Sequence, residues 1–305
     1  GRGQVWPATG VMLVANLVNW GLNAWLIHGG WGLPALGIWG AAWSTLLTRS
    51  LMALALWAIL RRDLPACPRK RASCRVSEEV YRRLRGMGLA VGAQAVFEVS
   101  AFSAAALMMG WVGTVSLAAH QVVISIATVT YMCAMGLGVA GSILVGEYLG
   151  AGEGARARQV GWLTVGLGAL LMSLMGGVMA WGRWVLPGLF GLKGQVLFMA
   201  ASLMGVAALF QVADGVQAVA MGILRGATDV RWATGTALAS YWGVALPLGA
   251  LAAFALCWGG QGIWWGLCVG LFTAALVLLF RWNRLSRGWS DRPPAGPRGR
   301  GSGRA

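Results

Sequence analysis

Charge is scarce in this chain. Of 305 residues only 9 are acidic and 2 are histidine, and charged side chains make up 11% of the sequence. An ordinary soluble domain carries roughly a quarter charged residues, so this composition excludes one. It also leaves few groups for acid–base chemistry. The sequence has no paired nucleophile and base, no cluster of metal-ligating residues and no Gly-Lys-Ser/Thr loop ending, so it reads as no enzyme and calls for no organic cofactor. The five cysteines form no framework. Cys133, Cys257 and Cys268 sit in apolar stretches as small packing residues, while Cys67 and Cys74 share a basic loop with no further ligand. A signal peptide is missing too: GRGQVWPATG has no initiating Met and enters a helix at once, so the chain is expected to be cut at its front.

Apolar residues are abundant, at 58%. They fall into eight runs, each long enough to cross a hydrocarbon core of roughly 30 Å. The runs are 6–27, 34–60, 84–111, 116–145, 160–185, 196–224, 233–256 and 262–280. The expected fold class is therefore all-α, a polytopic membrane protein with eight transmembrane helices. The net charge of +15 is placed accordingly. Sixteen of the 24 basic residues lie in two clusters, Arg61–Arg85 and Arg281–Arg304, at the ends of apolar runs. Eight spans with both ends cytoplasmic satisfy the positive-inside bias at every connection. No aromatic-interleaved basic surface accompanies the clusters, so nucleic acid is not an expected partner. The implied address is a bacterial inner membrane.

An internal repeat is visible as well. A shift of 225 residues lays Gly37-Ile38-Trp39 on Gly262-Ile263-Trp264, and pairs Leu46 with Leu271 and Trp57 with Trp282. Transporters are commonly built from such repeats. If the last six runs form one complete repeat, the first two are the end of another, and about 140 residues (some four helices) are expected ahead of residue 1. The resulting division is 1–62 as the last two helices of an amino-terminal lobe and 63–83 as a cytoplasmic basic linker. Residues 84–285 are then a six-helix carboxy-terminal lobe, and 286–305 a basic disordered tail.

Two acids stand alone within apolar runs. Asp214 lies mid-span, with Gln211 and Gln217 three residues to either side on one helical face. Glu98 lies mid-span with Gln94 one turn earlier. Neither has a base within reach on its own helix, and an intramembrane carboxylate is costly enough to be a functional candidate by default. Together they read as one shared cation or proton site whose members titrate as a pair. A snorkelling or locally paired acid is the alternative. His120 opens the fourth run with Gln121, as a proton relay or as a packing residue. Ser142, Gly146 and Gly150 repeat at four-residue spacing, which allows close helix approach. Arg49 is the one base inside a span.

Three segments, in order, resemble the multidrug and toxic compound extrusion (MATE) family. LAAHQVVISIATVTYMCAMGLGVAGSILVGEYLGAGEGARAR resembles its seventh-to-eighth helix segment. FQVADGVQAVAMGILRGATDV resembles its tenth helix, and NWGLNAWLIHGGWGLPALGIWGAAWST its fifth-to-sixth hairpin. The resemblance implies a twelve-helix, two-lobe fold. It also implies that Glu98 and Asp214 form the cation site of the carboxy-terminal lobe, as in the NorM-like branch. The chain departs from the family pattern at Ala90, where Pro is frequent, at Phe210, where some members place Tyr near the ion, and at Glu147, a frequent Asn.

The leading expectation is a secondary antiporter that exports small organic, often cationic compounds in exchange for Na+ or H+. Gln94, Gln211, Gln217 and His120 would support the site, with a monovalent cation as the only metal at Glu98 and Asp214. Membrane lipid and small-molecule substrates are the expected partners, with no obligate protein partner. A lipid-linked-precursor flippase of the same superfamily is the alternative, although its groove should carry more bases than Arg49. An inactive truncated transporter is a third reading.

Overall fold

A segment crossing a bilayer must satisfy its own backbone hydrogen bonds, and a helix does so without a partner strand. The computed structural model describes residues 6–29, 34–63 and 78–290. Every regular element in these ranges is helical. Cys67, Cys74, most of the 63–83 linker and the tail from residue 291 lie outside the described residues.

The chain forms two compact units, residues 1–75 and 76–305. The first is an antiparallel hairpin of α1 (Trp6–His28) and α2 (Gly37–Asp63). A polar ladder joins them. Asn19 Nδ2 donates to Ser44 Oγ at 3.3 Å and Thr48 Oγ1 at 3.4 Å, and Ser44 Oγ donates to Asn23 Oδ1 at 2.5 Å. Gly40 extends this stripe by one turn, because a Cβ there would collide with the Leu26 carbonyl. In the second unit, the buried stripe Gly266, Gly270 and Ala274 faces the preceding span. The two contact stripes are related by an offset one residue longer than the Gly-Ile-Trp register. The tryptophans of that register differ accordingly: Trp39 is 75% exposed and Trp264 fully buried.

The second unit holds α3 (Glu78–Val112), α4 (Thr114–Gly150), α5 (Gly154–Trp181), the short α6 (Val185–Leu189) and α7 (Gly194–Gly226). α8 (Val230–Leu238) and α9 (Leu246–Ala250) follow, then α10 (Gly260–Ser290). α8 and α9 belong to one span, Val230–Ala255, interrupted by π-helical backbone at Ala239–Ala245 and Leu251–Ala255. Pro247 accounts for the first interruption: it donates no N–H and its ring crowds the carbonyl four residues back, so a wider turn relieves the clash. Among the described residues, eight helical stretches are thus long and apolar enough to span a membrane. Several outrun the expected limits. α3 begins six residues earlier with Glu78 and Glu79 in its first turn, where acids suit the helix dipole. α10 continues to Ser290.

α7 is the central helix, packed on α4, α5 and α10. Its small residues permit this. A Cβ on Gly222 would land in the backbone of Gly138, and one on Gly226 in that of Ser142. The close-packing stripe of α4 is therefore Gly138–Ser142–Gly146, displaced one turn from the expected one, while Gly150 faces open space. Outward-facing Leu163, Phe198 and Leu276 are more than half exposed, as suits contact with lipid tails.

The α7–α8 turn is pinned. Thr228 takes a left-handed conformation (φ 62), and Asp229 Oδ2 accepts a 2.6 Å hydrogen bond from Arg281 Nε, whose guanidinium lies over the Trp232 ring at 4.9 Å. The pair is mostly shielded, with side chains 16% and 26% exposed. Arg281→Ala should lower stability by about 1–3 kcal/mol, since it strands a half-buried carboxylate. Thermal unfolding in detergent measures this; an unchanged midpoint would mean that solvent already screens the pair.

Candidate functional site

Glu98 on α3 and Asp214 on α7 line one cavity of about 490 Å³ between α3, α4 and α7. The contribution of α4 follows its helical period: His120, Ile124, Ala127, Tyr131 and Met135 recur at three- and four-residue steps and all face the cavity. Asp214 is buried, with 5% of its surface exposed. No hydrogen bond or ion pair to it forms among the described residues. Glu98 is half-buried and accepts a hydrogen bond from the Tyr131 hydroxyl at 3.3 Å. The cavity wall carries no Lys or Arg.

His120 lines the same cavity, fully buried. Its ring meets Trp264 edge-on at 5.6 Å, and Nδ1 has no hydrogen-bond partner among the described residues. The glutamines lie behind the wall and tie helices together. Gln94 Nε2 is 2.7 Å from Met221 Sδ, joining α3 to α7. Gln211 donates to Thr130 Oγ1 and, at 3.4 Å, to the Ala127 carbonyl, joining α7 to α4. Gln217 donates to the Tyr241 hydroxyl at 2.8 Å, which fastens α7 to the π-helical stretch. The face carrying Gln211, Asp214 and Gln217 thus splits in function: the acid opens on the cavity and the amides bridge to neighbouring helices. The Oε1 atoms of Gln211 and Gln217 have no partner among the described residues.

An aromatic cluster backs the site. Phe210 packs edge-on against Trp264 at 5.3 Å and Phe102 at 6.1 Å, and Phe102 reaches Tyr241 at 5.8 Å. Tyr131, Phe102 and Tyr241 escaped sequence reasoning, which weighed charge above aromatic placement, while Phe210 stood out only as a departure from the family pattern. The heptad-like spacing from His120 to Tyr131 was the available signal.

Chemically, two carboxylates on separate helices can exchange a proton or hold a small monovalent cation, with the Tyr131 hydroxyl as a neutral oxygen nearby. The apolar and aromatic wall suits an amphipathic cation. Arg49, by contrast, is exposed on α2 and forms no ion pair among the described residues.

Known proteins are similar to this chain over nearly all of its length. The protein called probable multidrug resistance protein NorM in Burkholderia pseudomallei is 36% identical over 306 residues, a match covering 95% of this chain and 64% of that protein. The protein of the same name in Pseudomonas aeruginosa is 38% identical over 287 residues, covering 91% and 59%. The chain thus spans less than two thirds of the length of these relatives. The eukaryotic MATE transporter AtDTX14 superposes with a TM-score of 0.76 at 21% identity, over 93% of this chain and 63% of its own. A MATE protein in the straight conformation gives 0.81 at 15% identity, over 92% and 63%. At such identities these two speak for the fold alone. Eight spans and bacterial relatives make this a multi-pass integral protein of the bacterial inner membrane. The MatE family model matches residues 91–251, more than half the chain and the whole of the wall that holds Glu98 and Asp214, and the chain belongs to that family.

Proposed function

We propose that this chain is the greater part of a secondary antiporter that exports organic, often cationic compounds in exchange for Na+ or H+. The observation that carries the proposal is the cavity shared by Glu98 and Asp214, whose wall among the described residues holds two acids and no Lys or Arg. Negative charge in a low-dielectric cleft draws cations strongly, and occupants of one cavity compete for the same two carboxylates. A proton or Na+ entering from one side therefore competes with the organic cation, which couples the two fluxes. Residues 1–62 supply the last two helices of an amino-terminal lobe and residues 84–285 the six-helix carboxy-terminal lobe. The 63–83 linker and the 286–305 tail stay in the cytoplasm. The same lack of Lys and Arg argues against a flippase, whose pyrophosphate substrate needs such permanent cations.

The test is uptake of a fluorescent organic cation into inverted vesicles containing the full transporter that carries these helices, under separate Na+ and H+ gradients. Accumulation is expected with one gradient and not with both collapsed. Accumulation that ignores both gradients would overturn the antiport reading.

A further inference from the structure

A second concavity lies away from the acid site, on the surface shared by α8, the π-helical stretch that follows it, and α10. It holds about 410 Å³, floored by Gly235 and Ala239, walled by Val244 and Val277, with Arg231 and Trp232 at one end. The depression has a local cause. Gly235 and Ala239 are one turn apart and lack bulk, and no atom lies within 4 Å of a Cβ built on Gly235. Thr273, also at the groove, spends its hydroxyl on the Val269 carbonyl at 2.8 Å, so the wall presents its methyl side.

Length and charge both specify an occupant. The line from Arg231 to Val244 rises somewhat less than about 20 Å, since its last turns are π-helical and rise less per residue than an α-helix. One leaflet of a hydrocarbon core of roughly 30 Å needs about 15 Å, which this line covers. At the end of this apolar line stands a guanidinium that forms no ion pair or hydrogen bond among the described residues. Its neighbour Arg281 is already held by Asp229. Trp232, fixed under Arg281, is the amphipathic ring that favours headgroup depth.

We propose that this groove binds one anionic phospholipid, with an acyl chain along Gly235–Val244 and its phosphate on Arg231. Arginine suits a phosphodiester because its planar fork donates two parallel hydrogen bonds. An anionic headgroup brings no ammonium to compete for that phosphate, whereas phosphatidylethanolamine does. The site is independent of Glu98 and Asp214, so it stands or falls apart from the transport reading.

Native mass spectrometry of the purified chain, titrated with phosphatidylglycerol or phosphatidylethanolamine, tests this. The anionic lipid should bind at least about fivefold more tightly, the value of one basic residue at the membrane surface. Arg231→Ala should erase that preference, and Gly235→Leu, which fills the groove, should weaken both lipids. Arg183→Ala, in a different connection, should change neither. Thermal unfolding of each variant controls for folding, and Arg231→Gln repeats the test should the alanine variant misfold. Equal retention of the two lipids by the unmodified chain, or full preference in Arg231→Ala, would overturn the site. Displacement of the lipid by millimolar inorganic phosphate would overturn the acyl groove, leaving a headgroup pocket alone.

Discussion

Glu98→Gln and Asp214→Asn should each reduce gradient-driven efflux to background in the transporter that carries these helices. Both changes keep shape and remove a charge. The two acids come from different helices but share one cavity, so on the antiport proposal the competing ions would meet a single site and not two in series. Removing either charge leaves the other acid unable to distinguish a loaded from an empty state by itself. A shared site also predicts strong non-additivity: the double variant should lose little beyond either single one. Insertion and folding should survive, because neutralising an acid that lacks an ionic partner relieves a burial cost. Tyr131→Phe removes one neutral hydrogen bond to Glu98 and should weaken cation binding by about tenfold at most. Efflux and cation binding are measured on the same preparations, with expression checked in parallel. Near-normal efflux in both single variants would end the coupling proposal and return Glu98 and Asp214 to the class of tolerated intramembrane acids.

What could be read in advance followed from properties that act residue by residue. Hydropathy and basic-residue placement give the eight spans because the bilayer imposes length and orientation on each helix separately. The two acids stand out for the same reason, since a lone charge is costly wherever its helix packs. Packing between helices is another matter. The roles of Gln94, Gln211 and Gln217 depend on which neighbour each amide meets, and Met221, Thr130 and Tyr241 lie 127, 81 and 24 residues away in sequence. Tyr131 reaches Glu98 across 33 residues. The π-helical turns before Pro247 were similarly hidden, because a proline signals a disturbed helix without saying whether it kinks, breaks or widens. The glycine stripe of α4 is recognisable by its spacing yet lies one turn earlier than expected, since four-residue periodicity fixes a face and not which of its members touch.

That stripe carries the largest structural effect expected. Gly222→Leu should destabilise the second unit by about 3 kcal/mol or more, at or beyond the usual range for overpacking. Ordinary overpacking is softened by a neighbouring side chain that changes rotamer. Here the obstacle is the carbonyl, C and Cα of Gly138, so nothing flexible can yield. The reverse approach is close but less severe, since a Cβ on Gly138 would stand 3.0 Å from the Ala218 carbonyl oxygen. α4 and α7 must then separate along the seam that also positions the site. Tyr131 is about two turns from Gly138, and Asp214 about two turns from Gly222 on the partner helix. Gly205→Leu is the matched control: same helix, same substitution, but no atom within 4 Å of the new Cβ. It should be neutral or slightly stabilising, because leucine is the better helix former by roughly 0.5–1 kcal/mol. Thermal unfolding in detergent compares the two, and Na+ or proton binding by the Gly222 variant reports whether the cavity still closes around its acids. Equal stability of the two variants would show that the α4–α7 seam relaxes freely, and its rigidity would have to be abandoned as what holds Glu98, Tyr131 and Asp214 in register.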